Sequence, residues 1–369
     1  MMTASGTDDQ LGQPLPLGFA HIASNRLSLA AMTNNQSFAD GTVSGLEVDW
    51  LASRAHSGFG TVVTSGLAVS PEGRSWVGQA CLYDDRFSEG LERLASARDD
   101  DTVMIAQLFH GGLRSPRSLI GRRPLGPSSS SSVQRLSLDE VERVLDDYAA
   151  GAERATRAGF DGVEIHAAHG YLPAQFLSRI ENTRTDSWGG GIDGRSRFVL
   201  RLVERIRDVL PSEAVVQLRL SAEDVRQSRG IDLDETVEVA NRAVGLGADA
   251  ISLSVWDVRL PSHKYPDRTP AAHVREHLRG SAPLAVAGAI WTADDAAFAL
   301  AEGADQLAVG RMAIFNPDAV AGLRDPRWQP RRPPFTPEQF ASVGVSPAFL
   351  EYLRGKWPEY VARTPESDR

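Results

Sequence analysis

The stretch AGFDGVEIHAAHGYLPAQFLSRIENTRTDSWGG, residues 158–190, predicts how the rest of the chain is organised. Its apolar run GVEIH, residues 162–166, has the length of a buried strand. Two imidazoles and a phenol, from His166, His169 and Tyr171, come at the end of that run. A buried strand that delivers polar side chains at its C-terminal end is typical of an active site in an α/β barrel. Buried core histidines or surface loop residues are the alternative interpretation of this cluster.

A short motif recurs between predicted helices and predicted strands. Gly-x-Asp occurs at residues 159–161, 247–249 and 303–305, and a looser copy lies at residues 58–60. Glycine takes the left-handed conformation that ends a helix, so each copy marks a helix-to-strand junction. Strands alternating with helices predict a (β/α)8 TIM barrel of the α/β class, with a doubly wound open sheet as the alternative. The predicted strands are residues 27–31, 61–64, 103–109, 162–166, 215–220, 250–254, 284–287 and 306–309.

The segments outside the predicted strands complete a single domain over residues 1–369. We expect a flexible lead-in over residues 1–16 and a barrel over residues 17–325 whose floor is capped by an N-terminal hairpin. The C-terminal extension, residues 326–369, is predicted to pack as short helices against the outside. The polar segment at residues 113–137 is predicted to be a solvated surface loop, with a mobile cap over the barrel mouth as the alternative.

Composition and charge exclude several classes of function. The 369 residues are 42% hydrophobic and 24% charged, as in soluble globular proteins. A formal net charge of −9 argues against nucleic acid or an anionic membrane as the main partner. The single cysteine, Cys81, cannot form an intramolecular disulfide or a Cys-rich metal site. We find no signal peptide and no membrane-spanning run, and therefore expect a cytoplasmic protein that binds a small molecule, with homo-oligomerisation left open.

The residues that follow each predicted strand should converge on one mouth of the barrel. Gly288 and Gly310 follow the last two strands, where barrels bind phosphate through backbone N–H groups, and Arg311 adds a cation that can bind in a bidentate manner. Tight turns with a surface arginine are the alternative. The complete set is Ala30, Ala31, Met32, Thr33, Gly66, Gln107, His110, His166, His169, Tyr171, Arg219, Gly288, Gly310 and Arg311.

Over roughly residues 15–325 the chain resembles the Old Yellow Enzyme family of FMN-dependent ene-reductases. The motifs are NRLSLAAMT from Asn25, PEGR from Pro71, QLFHGG from Gln107, HAAHGY from His166, QLRLSAED from Gln217, AVAGAI from Ala285 and LAVGR from Leu307. The resemblance implies non-covalent FMN and no metal. The implied FMN-binding residues are Ala30, Ala31, Met32, Thr33, Gly66, Gln107, Arg219, Gly288, Gly310 and Arg311.

Three of these residues can be matched to the isoalloxazine ring. Gln107 matches the donor and acceptors of the pyrimidine edge, and Thr33 can donate to O4. Arg219 would stabilise negative charge on the N1–C2 edge of reduced flavin, although an ion pair inside the barrel is an alternative role for it.

The resemblance also implies a reaction. NAD(P)H would deliver hydride to flavin N5, from which it would pass to the activated C=C bond of an α,β-unsaturated carbonyl. His166 and His169 would bind the carbonyl oxygen, and Tyr171 would donate the proton. An FMN-dependent dehydrogenase, demethylase or isomerase is one alternative. The other is a metal-dependent barrel hydrolase with His110, His166 and His169 as ligands, since three imidazoles suffice for zinc.

Overall fold

The computed structural model describes residues 10–224 and 227–363, and its centre is a closed barrel of eight parallel strands. The strands in the described residues are β1 (Leu15–Leu17), β2 (His21–Ala23), β3 (Leu27–Leu29), β4 (Thr61–Ala68), β5 (Val103–Phe109), β6 (Leu125–Gly126), β7 (Gln134–Arg135), β8 (Gly162–Ala167), β9 (Val215–Ser221), β10 (Ala250–Ser254), β11 (Leu284–Ala287) and β12 (Gln306–Val309). The ring runs β3-β4-β5-β8-β9-β10-β11-β12 and closes where β12 pairs with β3. The predicted (β/α)8 barrel is confirmed, and the open-sheet alternative is wrong.

Helices alternate with the barrel strands and continue into the C-terminal extension. The principal helix α4 begins at a capping box, in which the Ser137 hydroxyl and the Glu140 carboxylate each accept the other residue's backbone N–H. The helices are α1 (Gly45–Ala55), α2 (Ser88–Ala95), α3 (Arg117–Ile120), α4 (Leu138–Arg157), α5 (Leu172–Leu177), α6 (Ile192–Val209), α7 (Leu233–Gly245), α8 (Pro270–His277), α9 (Ala293–Ala301), α10 (Arg311–Phe315), α11 (Ala319–Arg324), α12 (Pro337–Ser342) and α13 (Pro347–Lys356). None of the helices in the described parts of the chain combines the length and the apolar character needed to cross a bilayer.

Each of the three Gly-x-Asp copies hydrogen-bonds the start of a neighbouring barrel strand. Their glycines, Gly159, Gly247 and Gly303, have φ of +97°, +100° and +93°, as a left-handed helix end requires. Their carboxylates accept backbone N–H groups at the start of the adjacent strand: Asp161 from Met104 at 2.7 Å, Asp249 from Val216 at 2.8 Å, and Asp305 from Leu284 at 2.9 Å. The aspartates therefore stabilise the barrel floor, a role that the sequence analysis did not assign to them.

The N-terminal hairpin caps this floor, as predicted. Strands β1 and β2 pair antiparallel, and Leu15, Leu17 and Ala23 form an apolar cluster with residues at the strand bottoms, including Val103. Of the predicted flexible lead-in, residues 1–9 lie outside the described residues. The prediction is wrong for the remainder, because Leu11 is fully buried and Leu15 begins β1.

Two further segments are more ordered than predicted. The segment at residues 113–137 is not a solvated loop, since Leu125 and Leu136 are fully buried and Arg184 donates to the carbonyls of Pro127 and Leu136 at 3.1 and 2.7 Å. The C-terminal extension does not simply cover the outside. Its helix α13 reaches the barrel mouth, where Tyr352, Lys356 and the adjoining Trp357 line a cavity.

Candidate active site

A cavity of about 470 Å³ lies at the C-terminal end of the barrel strands and adjoins a smaller one of about 70 Å³. Because Ala31, Met32, His169, Tyr171 and Arg219 line both cavities, the two form one site. The structure brings together every residue that was assigned to the cofactor or the substrate. The large cavity contains Ala30, Ala31, Met32, His169, Tyr171, Arg219, Gly288, Gly310 and Arg311, and the small one adds Thr33, Gly66, Gln107 and His166.

Strand register places Gln107 beside a buried carboxylate, Glu164. The Gln107 amide nitrogen donates to Glu164 Oε1 at 2.7 Å, and the Gln217 amide donates to the other carboxylate oxygen. An amide that turns its N–H₂ towards a carboxylate has its oxygen left for another partner. Glu164 therefore determines that Gln107 offers an acceptor to the cavity.

Arg219 is buried at the junction of the two cavities. Its Nε donates to Ser254 Oγ at 2.9 Å, and its Nη1 lies 3.9 Å from Glu164 Oε1. Burial lowers the pKa of Arg219, while the Glu164 carboxylate opposes that shift. The guanidinium thus makes the interior ion pair considered from the sequence and also lines the cavity, while its role towards reduced flavin stays a prediction.

His166 and His169 form a contacting, uncharged pair. Burial, followed by the neighbouring cations, lowers the pKa of His166 well below its ordinary range and that of His169 to about 3. His166 Nδ1 accepts the Ala168 N–H at 3.3 Å, which in a neutral ring leaves the proton on Nε2. His166 Nε2 lies 3.3 Å from His169 Nδ1, so the His169 proton is on its Nε2. The pair can therefore donate hydrogen bonds without carrying charge.

Tyr171 is the N-cap residue of α5 and its ring contacts that of His166. Its ring meets Phe109 edge-on at 4.4 Å and His166 at 5.0 Å between centroids, which fixes the direction of the hydroxyl. Burial raises the pKa of the phenol, although Arg114 opposes the shift. Tyr171 consequently keeps its proton at neutral pH and can act as an acid.

The turns after β11 and β12 form the opposite wall of the large cavity. A Cβ on Gly288 would lie 2.4 Å from Val255 Cγ2, so only glycine allows this close approach. Arg311 Nη2 donates to the Trp256 carbonyl at 3.3 Å, and its guanidinium carbon lies 4.8 Å from the Trp256 ring centroid. Ala289, between these groups, has a positive φ of 46°, a strained conformation that functional sites often retain.

A second buried carboxylate, Glu47, supports the loop that carries Thr33 and the strand β4 that carries Gly66. It accepts hydrogen bonds from Asn34 at 3.0 Å, Ser37 at 2.9 Å and Ser65 at 2.6 Å. Burial raises the pKa of Glu47 despite these three donors. Glu47 therefore holds the loop after β3 against the C-terminal half of β4.

Comparisons with known proteins agree with this geometry. The model of the NADH:flavin oxidoreductase / NADH oxidase family matches residues 10–327. The chain belongs to this family. It is 32% identical over 330 residues to a probable NADH-dependent flavin oxidoreductase of Bacillus subtilis (strain 168), YqiG, a match covering 86% of this chain and 88% of that one.

Solved structures place the chain among the Old Yellow Enzyme homologues. Morphinone reductase superposes with a TM-score of 0.79 at 26% identity, covering 92% of this chain and 95% of that one. The Old Yellow Enzyme homologue from Zymomonas mobilis gives 0.77 at 25% identity, covering 96% and 97%. The predicted resemblance is confirmed. Two other curated relatives are longer, and the chain spans 36% and 48% of their lengths.

Members of this family use FMN with NAD(P)H as reductant, and the cavity suits FMN in size and charge. Its combined volume falls within the roughly 300–1,000 Å³ typical of cofactor sites. Among the described residues that line the two cavities there is no Asp or Glu, whereas Arg219 and Arg311 are cationic. Arg311 and the glycine turns match a phosphate, and the oriented oxygen of Gln107 matches the donor of a flavin ring.

Several lining residues were missed from the sequence. Trp76 follows the quoted PEGR segment, and Arg114 follows QLFHGG, so proximity to those motifs was an available signal. Tyr352 and Lys356 had none, because they lie in an extension with no recognised motif. Besides these four, the missed residues include Phe109, Gln227, Ser254, Val255, Trp256, Ala289, Ile290, Trp291, Met312 and Trp357.

The structure does not assemble the metal site considered as an alternative. His110 lines neither cavity, and its ring lies under Gly73, where a Cβ would come within 2.7 Å of it. His110 Nδ1 accepts the Gly112 N–H at 3.0 Å. No cluster of three or more metal-ligating side chains occurs within residues 10–224 and 227–363. The three imidazoles therefore do not form one ligand set.

Proposed function

We propose that the chain reduces the activated C=C bond of an α,β-unsaturated carbonyl, using NAD(P)H as the reductant. The observation that carries this proposal is the arrangement of two uncharged imidazoles and a protonated phenol around one cavity. Bound FMN would supply hydride chemistry, with NAD(P)H as the source of the hydride and the β-carbon of the substrate as its acceptor. FMN would be held by Ala30, Ala31, Met32, Thr33, Gly66, Gln107, Arg219, Gly288, Gly310 and Arg311.

The imidazoles bind the substrate oxygen. His169 offers its Nε2–H directly, and the 3.3 Å contact from His166 to His169 is longer than most N–H hydrogen bonds, so a carbonyl oxygen can replace it. Negative charge develops on that oxygen during reduction, and one preorganised donor is worth about 3–4 kcal/mol. Neutral imidazoles supply this stabilisation without attracting a competing anion.

Tyr171 supplies the proton. Its hydroxyl donates the proton to the α-carbon of the substrate and becomes a phenolate. The nearby Arg114 and Arg219 stabilise that phenolate electrostatically. Proton return from solvent restores the phenol. One hydride and one proton are thus added across the C=C bond.

Tyr171→Phe tests the proposal in two half-reactions. Stopped-flow absorbance should show flavin reduction by NADH or NADPH changed by less than about 3-fold. Reoxidation by cyclohexenone should fall by about 10²- to 10⁴-fold, the usual contribution of a positioned acid. Tyr265→Phe is the matched control, because its hydroxyl bonds Asp234 and does not line either cavity. Equal slowing of both half-reactions would remove Tyr171 from its role, and a wild-type protein that reduces no enone would refute the proposed reaction.

A further inference from the structure

Arg114 is a cation of the cavity that the expected cofactor contacts do not account for. It lies near the start of the segment at residues 113–137 and lines the large cavity. Arg114 Nη1 donates to the His169 carbonyl at 2.6 Å, and its guanidinium carbon lies 5.3 Å from the Tyr171 ring centroid. The side chain therefore stands beside the two residues assigned to the substrate.

The two other arginines of the site have partners or roles of their own, and the fourth cation, Lys356, lies on α13 at the cavity wall. Arg219 lies 3.9 Å from Glu164, while Arg311 stands at the phosphate end with the glycine turns. For Arg114 no ion pair with an Asp or Glu exists within the described chain. Glu181 interacts with Arg114 electrostatically, and burial raises the pKa of that carboxyl to about 6.

The free side of the guanidinium is consequently available to a ligand. One of its five N–H groups is used by the His169 carbonyl, which holds the planar fork in place, and no other hydrogen bond to Arg114 occurs in the described residues. A fixed guanidinium without a protein counter-charge is the usual partner of a carboxylate, which it binds in a bidentate manner.

We infer that Arg114 selects substrates that carry a carboxylate as well as the activated C=C bond. The inference rests on the proposed function and adds the substrate class to it. The imidazole pair holds the carbonyl of the enone, and Arg114 holds the carboxylate at the other end of the substrate.

The test uses the holoenzyme and two enones that differ only in charge. 6-Oxohept-4-enoate has a carboxylate two methylene groups beyond its β-carbon, and its methyl ester has the same alkene without the charge. Reoxidation of the reduced enzyme should favour the acid over the ester in the wild type. Arg114→Gln should lower that acid-to-ester ratio by about 10- to 100-fold, the usual value of a charge-assisted hydrogen bond, and Arg114→Lys should restore part of it.

Arg117→Gln is the control, because it removes the same charge from an exposed position of the segment at residues 113–137. Calorimetric titration with the saturated 6-oxoheptanoate gives a readout independent of turnover, and its affinity should fall by the same factor in Arg114→Gln alone. An unchanged ratio with both enones reduced would overturn the inference and leave the proposed function intact. The inference would also be overturned if Arg114→Gln slowed only the reduction of the enzyme by NADPH or NADH, because Arg114 would then bind the nucleotide. If neither enone is reduced by the wild type, the proposed function fails instead.

Discussion

Among individual residues, the uncharged His166–His169 pair makes the most specific demand on its surroundings. Two imidazolium ions 3.3 Å apart and beside Arg219 would repel, so burial and the neighbouring cations keep both rings neutral. Because both rings have a lower pKa in the folded than in the unfolded chain, the free energy of unfolding depends on pH. Below the ordinary histidine pKa of 6.5, the unfolded chain binds protons that the folded chain does not.

His169→Asn should therefore flatten the acid side of the stability profile. The folded pKa of His169, about 3, is below the unfolded value, so its contribution to the free energy of unfolding is lost as pH falls from about 6.5 towards 3. The loss amounts to about 1.4 kcal/mol per pH unit. Urea denaturation at pH 7.5, 6.5, 5.5 and 4.5 should show a shallower fall in the variant than in the wild type. His263→Asn, which replaces an imidazole that is 73% exposed, should keep the wild-type slope. Parallel slopes for His169→Asn and the wild type would contradict the assigned protonation state.

The roles predicted for residues depended on where each strand ends. Gln107, His166 and Arg219 could be placed at the mouth because a parallel barrel presents all its strand ends there. Glu164 was missed although it lies inside GVEIH, because its contacts with Gln107 and Gln217 follow from register between strands. Register is a non-local property that spacing along one strand does not reveal.

At the scale of elements, the C-terminal helix α13 joins the core to the cavity. Phe349 is fully buried and meets Trp50 of α1 edge-on at 5.0 Å, so the helix is anchored to the first helix of the barrel. The same face of α13 carries Tyr352, whose ring lies 6.2 Å from that of Phe349, and Lys356, and both of these side chains line the cavity. The stability of this helix should therefore influence cofactor binding.

Phe349→Ala should weaken both folding and FMN retention. Removing a buried phenyl ring typically costs about 3–5 kcal/mol. The released helix would also withdraw Tyr352 and Lys356 from the cavity wall, so FMN should dissociate more readily. Thermal unfolding, together with the flavin fluorescence released on dilution, measures the two effects. Leu46→Ala in α1, a position 46% exposed, should change both by little. Lower stability with unchanged FMN affinity would show that the helix has no part in the site.

Periodicity predicted the helices that cover the barrel better than it predicted the connections. The apolar periodicity of residues 138–157 predicts a helix, and α4 has these bounds because a capping box and a regular apolar face both mark it. Strand β4 extends four residues beyond its prediction to Ala68, since Ser65 and Gly66 are polar or small residues that barrel pairing tolerates. Helix α8 was not predicted, although Thr269 and Pro270 are typical of a helix start.

For the whole molecule, the carboxylates of the barrel floor show how ring closure is stabilised. Asp161 binds the start of β5 and Asp305 the start of β11, and they share no partner. The same hydrogen bond is thus repeated at separate points of one ring. If the barrel unfolds as a single unit, losses at the two points should add.

Asp161→Ala and Asp305→Ala should each lower the free energy of unfolding by about 1–3 kcal/mol, the cost of leaving a backbone N–H without its partner. The double variant should lose the sum within about 0.5 kcal/mol. Urea denaturation followed by far-UV circular dichroism and by tryptophan fluorescence measures both the size and the cooperativity of the loss. Asp267→Ala, at an exposed position, should have little effect. Two separate transitions, or a double loss clearly smaller than the sum, would show that the floor is not one cooperative ring. The mouth could then open without the rest of the barrel, and the fixed geometry required by His166, His169 and Tyr171 would need support from elsewhere.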